Sequence, residues 1–231
     1  MQQKIEEFQK LAQVFKSHGF NLFLVGGTVR DYLLHKELTD MDAVSDATPT
    51  EIIAFLPNVD TTFAHLGSLK YKNENNIKFD ITTLRKESAY LDSRHPSKIT
   101  FVKDLKEDYL RRDFTINAMY MDADLNIIDY SGGGLQDLSN HILRMVGDPD
   151  IRLKEDPLRI LRAIRFALMF NLTIEPTLYE AMRDRFYLLS NITDAKIRSE
   201  IDKIKEEDIN LKYKKDLLSE FDIVNLKGVI K

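Results

Sequence analysis

The 231-residue sequence contains no cysteine, which excludes disulfides, thiolate nucleophiles and cysteine-based zinc sites. That suits a reducing compartment. Apolar runs stay below the roughly 18 residues a membrane helix needs, so no membrane span is expected. The amino terminus, MQQKIEEFQKLAQVF, is charged and periodic and lacks the apolar core of a signal peptide. A cytoplasmic location is the default expectation. Positive charge is not in excess either: the formal net charge is -4, so no global basic field draws nucleic acid, and any such role needs a local patch. Against these absences, 43% of residues are apolar and 30% charged, the balance of a folded, water-soluble chain. The length allows one domain or two.

Apolar residues recur at helical spacing from Ile5 to Phe15, and Gly19 follows, which predicts a helix over 3–17. Residues 20–25 read as a buried strand ended by Gly26 and Gly27, with a short helix after it. Strands are expected at 41–44, 61–63, 70–71, 78–82 and 99–101, and Pro49 opens a helix through Phe55. NENN at 73–76 has the composition of a hairpin turn. Residues 86–98 lack periodicity and are expected as a loop, 113–119 as a helix, and 125–130 as a strand before SGGG. From about Asp137 the pattern turns helical, with segments at 156–170, 176–189 and 194–206 and a weaker lysine-rich one through Leu218. The boundary is placed loosely between 137 and 150.

Three stretches can carry chemistry. In VGGTVRDYLL and the TDMDAV that follows it, Gly26 and Gly27 let backbone amides approach a polyphosphate, and Arg30 adds charge-assisted contacts. Asp40 and Asp42 are two residues apart, so on a strand they share a face. Close carboxylates repel unless a cation compensates, and magnesium joins such carboxylates to phosphates. The plain alternative is a solvated acidic turn. Asp80, in IKFDITTL, offers a third oxygen ligand. In YLRRDFTINAM, Arg111 and Arg112 are donor forks for phosphate oxygens, and Asn117 lies one helical turn beyond Asp113. An interdomain salt-bridge cluster is the alternative there.

The third stretch is KEDPLRILRAIRF. Counted from Asp156 at about 100° per residue, Arg159, Arg162 and Arg165 fall near about 300°, 240° and 180°, whereas the apolar residues occupy about 20–140°. The helix therefore has an apolar face and a separate guanidinium stripe. Pro157 fits a first turn, and Asp156 at the positive end is partly explained by capping. Either the arginines bridge acidic helices, or Asp156 accepts from a base amino group while Arg159 donates to ring or carbonyl acceptors.

Together, LVGGTVRDYLL with DMD, RRDFTINAM and EDPLRILRAIRFA resemble the class II tRNA nucleotidyltransferases (CCA-adding enzymes) and their bacterial poly(A) polymerase relatives. The likeness covers roughly residues 20–170 and continues more weakly through ITDAKIRSEI at 192–201. It implies an α+β fold: a polymerase-beta-like nucleotidyltransferase head with a mixed sheet over 1–140, then an all-helical neck over 141–231 carrying the base-recognition helix. It also implies metal-dependent transfer of C and A from CTP and ATP to the 3′ end of tRNA. By the same resemblance, Asp40 and Asp42 bind Mg2+ and Asp80 completes or supports the site. Gly26, Gly27 and Arg30 line the phosphates, and Arg111, Arg112, Asp113 and Asn117 form the ribose and triphosphate motif. Asp156 and Arg159 read the base with Arg162 beside them, and Arg165 is divided between the nucleotide site and a salt bridge.

Residues 86–98 match the flexible loop of A-adding members of the family, and TTLR after Asp80 stands where TTFR is commoner. Members of the family continue into body and tail domains, so the expectation is a shortened head–neck portion that binds Mg2+ and nucleotides but adds to tRNA weakly. An A-adding or poly(A)-polymerase relative, and a nucleotide-binding fragment without turnover, are the competing readings. No membrane partner is expected, and the oligomeric state stays open.

Overall fold

The computed structural model describes residues 1–39, 41–90, 96–204 and positions 217, 219 and 221, the side chains of 88–90 and 96–98 excepted. Asp40, the 91–95 segment and most of the lysine-rich tail lie outside the described residues. The chain divides into two compact units: Met1–Ser88 with Lys98–Leu135, and Ala89–Ser97 with Gln136–Lys231.

The first unit opens with α1 (Gln2–Ser17), whose Ile5, Phe8, Leu11, Ala12 and Phe15 are buried at the spacing seen in the sequence. There follow β1 (Leu22–Val25), α2 (Gly27–Leu33), β2 (Met41–Ser45) and α3 (Pro49–Phe55). Helix α3 starts on a capping box, Thr48 with Glu51, and has Pro49 in its first turn. Then come β3 (Ser68–Lys72), β4 (Lys78–Thr83), β5 (Arg85–Tyr90) and β6 (Pro96–Phe101), of which Ala89–Tyr90 and Pro96–Ser97 count with the second unit, and α4 (Leu105–Tyr109), β7 (Tyr120–Met121) and β8 (Ile127–Ile128).

Six strands form one sheet in the order β3-β4-β2-β1-β7-β8. Strands β2 and β4 run parallel, whereas β3–β4, β1–β2, β1–β7 and β7–β8 are antiparallel. One face buries Leu24, Met41, Ala43, Leu69, Phe79 and Ile81. The other is apolar only toward one end, where Val44, Val25 and Tyr120 pack with Leu84, Val102 and Leu105. Asp42 precedes Val44 on this second face and is exposed. Packing therefore closes one end of the face and leaves the acidic end open.

Four sequence expectations change. Within the stretch expected as a loop, 86–90 and 96–98 belong to β5 and β6, which pair as a two-stranded sheet, because backbone hydrogen bonding needs no apolar alternation; 91–95 lie outside the described residues. Residues 61–63 form a turn instead of a strand, since the Asp60 carboxylate takes the Thr62 amide at 2.9 Å. The helix expected over 113–119 is reduced to a single 3-10 turn at Thr115–Asn117. There the Asp113 carboxylate accepts the Phe114 amide at 2.8 Å, a local bond that competes with the helix. The strand expected over 125–130 shrinks to β8.

After α5 (Gly134–Ser139), the second unit contains β9 (Ile142–Leu143), α6 (Pro149–Glu155), α7 (Leu158–Phe170), β10 (Thr173–Ile174), α8 (Pro176–Arg185) and α9 (Asp194–Ile201). From Gln136 onward its described residues are mainly helical, with the short parallel pair β9–β10 among them. Asp148 caps α6, accepting the Asp150 amide at 2.8 Å. Helix α7 begins at Leu158 with Pro157 as its N-cap, so Asp156 lies at the joint between α6 and α7 and not in the first turn of α7. Asn171, at φ 52°, closes α7 in the left-handed conformation.

Candidate active site

Asp42 stands directly opposite Asp80 in the parallel register of β2 and β4. Paired residues on adjacent strands share a face about 4.8 Å apart, so the two carboxylates leave the sheet side by side. Asp42 is tied to the following element of the site, since its amide donates to the Thr28 hydroxyl at 2.8 Å. Two close carboxylates, all-oxygen donors on an open surface, suit a hard divalent cation. Among the described residues no group of three or more acidic or imidazole side chains gathers as a metal cluster; Asp40 is outside them.

The glycine turn borders this pair. Gly26 has φ 65°, a left-handed conformation that side chains rarely adopt. A Cβ on Gly27 would stand 3.4 Å from Arg30 Nη2 and 3.9 Å from Asp42 Oδ2, which places the guanidinium and the carboxylate against the same peptide. Arg30 is only 6% exposed. Its Nε and Nη2 donate to Asp31 at 3.0 and 2.9 Å, and its Nη1 donates to Asn117 Oδ1 at 2.6 Å. Asn117 Nδ2 donates in turn to Asp113 Oδ1 at 3.4 Å. The expected meeting of Asp113 with Asn117 thus occurs without the expected helix, and it joins the second motif to the first.

Arg111 and Arg112 converge on Asp108, which sequence reasoning passed over although it lies three and four residues before them. Asp108 is fully buried. Arg111 Nε donates to its Oδ1 at 2.8 Å, and Arg112 Nη2 donates to its Oδ2 at 2.7 Å. The Tyr120 hydroxyl and the Arg85 amide also donate to it, at 2.9 and 3.2 Å. Burial pushes this carboxyl up, but Arg112 and Arg111 outweigh burial and hold it down at about 2. Arg112 lies over the Tyr120 ring at 5.0 Å, and its Nη1 is 3.9 Å from where a Gly26 Cβ would stand. Arg111 also reaches Glu87 at 3.4 Å. These ion pairs lie within the first unit and are not the interdomain salt-bridge cluster weighed as the alternative for this stretch. They orient the arginines beside the glycine turn, and Gly26, Asp42, Asp80, Arg111 and Arg112 line one recess.

In the second unit the guanidinium stripe is divided. Arg159 and Arg165 are 5% and 8% exposed, and Arg162 is half-buried. Arg159 Nη1 donates to the Arg152 carbonyl at 2.8 Å and lies 3.4 Å from Glu155. Arg165 Nε donates to Glu200 of α9 at 3.1 Å, so the bridge to an acidic helix is formed at that position. Burial of Glu200 raises its pKa, but Lys203, Arg165 and Arg162 lower it further, and the net direction is down. Both Arg162 and Arg165 stand over Phe166, at 5.5 and 4.3 Å from the ring centre. Asp156 Oδ1 accepts the Leu158 amide at 3.2 Å, although the N-cap position of α7 is held by Pro157.

A model of the poly A polymerase head domain family matches residues 22–144. The chain belongs to this family. Within it, the chain is 40% identical over 206 residues to a CCA-adding enzyme of Staphylococcus haemolyticus, a match covering 88% of this chain and 50% of that one. The crystal structure of the Bacillus stearothermophilus CCA-adding enzyme in complex with CTP superposes with a TM-score of 0.80 at 31% identity, covering 88% of this chain and 49% of that one. A tRNA nucleotidyltransferase complexed with a primer tRNA and an incoming ATP analog gives a TM-score of 0.75 at 29% identity, with 93% and 61% covered. The chain spans about half the length of the curated relatives it matches. The poly A polymerase head-domain match covers the two acidic strands, the glycine turn and the RRDFTINAM stretch, and the mixed-sheet head followed by helices agrees with the structural relatives. Among the described residues no helix is long and apolar enough to cross a membrane.

Proposed function

We propose that this chain carries the catalytic part of a template-independent RNA nucleotidyltransferase, one that adds C and A from CTP and ATP to the 3′ end of tRNA. The observation that carries the reading is the register pairing of Asp42 with Asp80 beside the Gly26–Gly27 turn. The names of the relatives support it, as do the CTP, ATP analog and primer tRNA of the solved complexes. The head, residues 1–140, performs the transfer, and the neck, residues 141–231, reads the base. An activity directed at tRNA fits the cytoplasm.

Asp40 and Asp42, with Asp80 beside them, would hold Mg2+, which when bound supplies charge neutralisation at the triphosphate and a lowered pKa for the RNA hydroxyl. Gly26 and Gly27 admit the phosphates to the backbone, while Arg30, Arg111 and Arg112 meet the phosphate charge. Asp31, Asn117 and Asp108 hold those guanidiniums in place before substrate arrives, so little ordering remains to be done on binding. Asp113 and Asn117 face the ribose. In the neck, Asp156 and Arg159 discriminate by hydrogen-bond pattern, since a wrong base leaves buried polar groups unpaired at about 1–3 kcal/mol each. Arg162 supports them, and Arg165 anchors α7 to α9.

The test is incubation of the chain with labelled CTP or ATP, Mg2+ and tRNA lacking its terminal CCA or only the final A, with unstructured RNA alongside. Metal-dependent incorporation of C and then A on tRNA, without GTP or UTP, is expected. Long A tracts on unstructured RNA would identify a poly(A) polymerase instead. Absence of both incorporation and nucleotide binding would refute the reading.

A further inference from the structure

The open face of the head sheet continues past the acidic pair into a strip of lysines. In the register of β3 with β4, Lys70 stands opposite Asp80 and Lys72 opposite Lys78. Residues paired across strands share a face and alternate residues along a strand do too, so all three lysines lie on the face of Asp42 and Asp80. All three are exposed, and with Asp80 they border a depression of about 330 Å³. The neighbouring acid is Asp60, opposite Lys70 across an isolated bridge. Its carboxylate accepts the Thr62 amide and hydroxyl at 2.9 and 2.6 Å and also feels the Lys70 charge, which helps to hold its pKa down. No ion pair joins the three ammonium groups to a carboxylate among the described residues. Three lysines against Asp60 and Asp80 leave the depression net positive on a chain of net charge -4, a local anion-attracting patch once a cation occupies the acidic pair.

Its position gives the patch a direction. The strand order β3-β4-β2-β1 sets Asp80 and Asp42 between the lysines on one side and the Gly26–Gly27 turn after β1 on the other. Displacement at an α-phosphorus is in line, so the attacking oxygen enters opposite the departing pyrophosphate. With the triphosphate on the glycine and arginine side, as in the function proposed above on which this step rests, the RNA hydroxyl has to arrive from the β4–β3 side.

We propose that Lys70, Lys72 and Lys78 form a track for the phosphates of the RNA's 3′-terminal strand, holding its last nucleotides on the Asp80 side of the acidic pair. Ammonium groups are point charges that bind phosphate without reading a base. That suits an end whose terminal nucleotide changes after every addition.

Fluorescence anisotropy of a labelled short single-stranded RNA, titrated with the chain over a range of salt, measures the track, and calorimetry with CTP measures the other side of the site. The variant K70A/K72A/K78A should bind RNA on the order of tenfold more weakly. Its log Kd against log salt slope should fall by about 2, at roughly 0.7 per lost single-strand phosphate contact. Its CTP affinity should equal that of the parent, and K70R/K72R/K78R should restore RNA binding. If the parent binds RNA and the alanine variant binds it equally well with the same slope, the track is wrong and the proposed function stands. A parallel loss of CTP affinity also overturns the track, because the lysines would then serve the triphosphate. A parent chain that binds no CTP overturns both readings.

Discussion

Replacing Asp108 by Asn tests whether a buried carboxylate organises the two site arginines. The side chain is fully buried, and its pKa falls from an ordinary 3.8 to about 2 because Arg112 and Arg111 outweigh the effect of burial. A shift of roughly 2 units at about 1.36 kcal/mol each corresponds to stabilisation on the order of 2–3 kcal/mol at neutral pH. Asn keeps the volume but leaves two guanidiniums without their shared counter-charge, and losing one partner of a buried pair costs about 3–5 kcal/mol in other proteins. Because the folded-state pKa is depressed, the contribution is fully present above about pH 4 and disappears as the pH falls through about 2. Urea unfolding of parent and Asp108→Asn should therefore differ by at least about 2 kcal/mol at pH 7, with the gap narrowing between about pH 4 and pH 2. A gap below about 0.5 kcal/mol at pH 7, or one that stays constant down to pH 2, would refute the argument. The same variant should raise the KM for CTP, since Arg111 and Arg112 lose their alignment.

Asp42→Ala should leave the unfolding midpoint nearly unchanged, because the side chain is exposed, while metal-dependent transfer falls by at least about a hundredfold in a labelled-CTP assay. Gly26→Ala forces a Cβ onto a residue at φ 65° and should destabilise the chain by about 1–2 kcal/mol in chemical denaturation. Arg159→Ala should relax base choice by about 5- to 150-fold, corresponding to 1–3 kcal/mol per unpaired polar group; unchanged preferences among CTP, ATP, GTP and UTP would disprove the base-reading role. Arg165→Ala removes one of the two partners of Glu200, leaving Lys203 at 2.7 Å, and should cost about 1–3 kcal/mol of stability without changing nucleotide preference.

The strand KFDITT is legible because it alternates a buried and a more exposed side chain, whereas MDAVS is buried throughout except at Asp42 and is marked by its short apolar run. Their pairing is not legible. β2 and β4 are parallel neighbours separated in the chain by α3 and β3, and no local pattern encodes which residue of one faces which of the other. The turn at 113–117 misled the periodic reading because helical spacing counts apolar positions and ignores a side chain able to bond the next amide, as Asp113 does. Residues 86–90 and 96–98 misled it in the opposite way, since a strand pair held by backbone bonds needs no apolar stripe.

By itself the sequence determined the inventory: a mixed α/β head, a helical continuation, an acidic pair of residue types after a glycine turn, and an arginine helix with separate apolar and polar sectors. Angular projection separates those sectors because it follows from helix geometry alone. Only the tertiary structure decided what stands against each sector. Glu200 comes from a helix 35 residues beyond Arg165, and Asp80 from a strand 38 residues beyond Asp42. Burial and register are properties of elements brought together from distant parts of the chain, so only they decide that Arg165 meets Glu200 and that Asp42 stands beside Asp80.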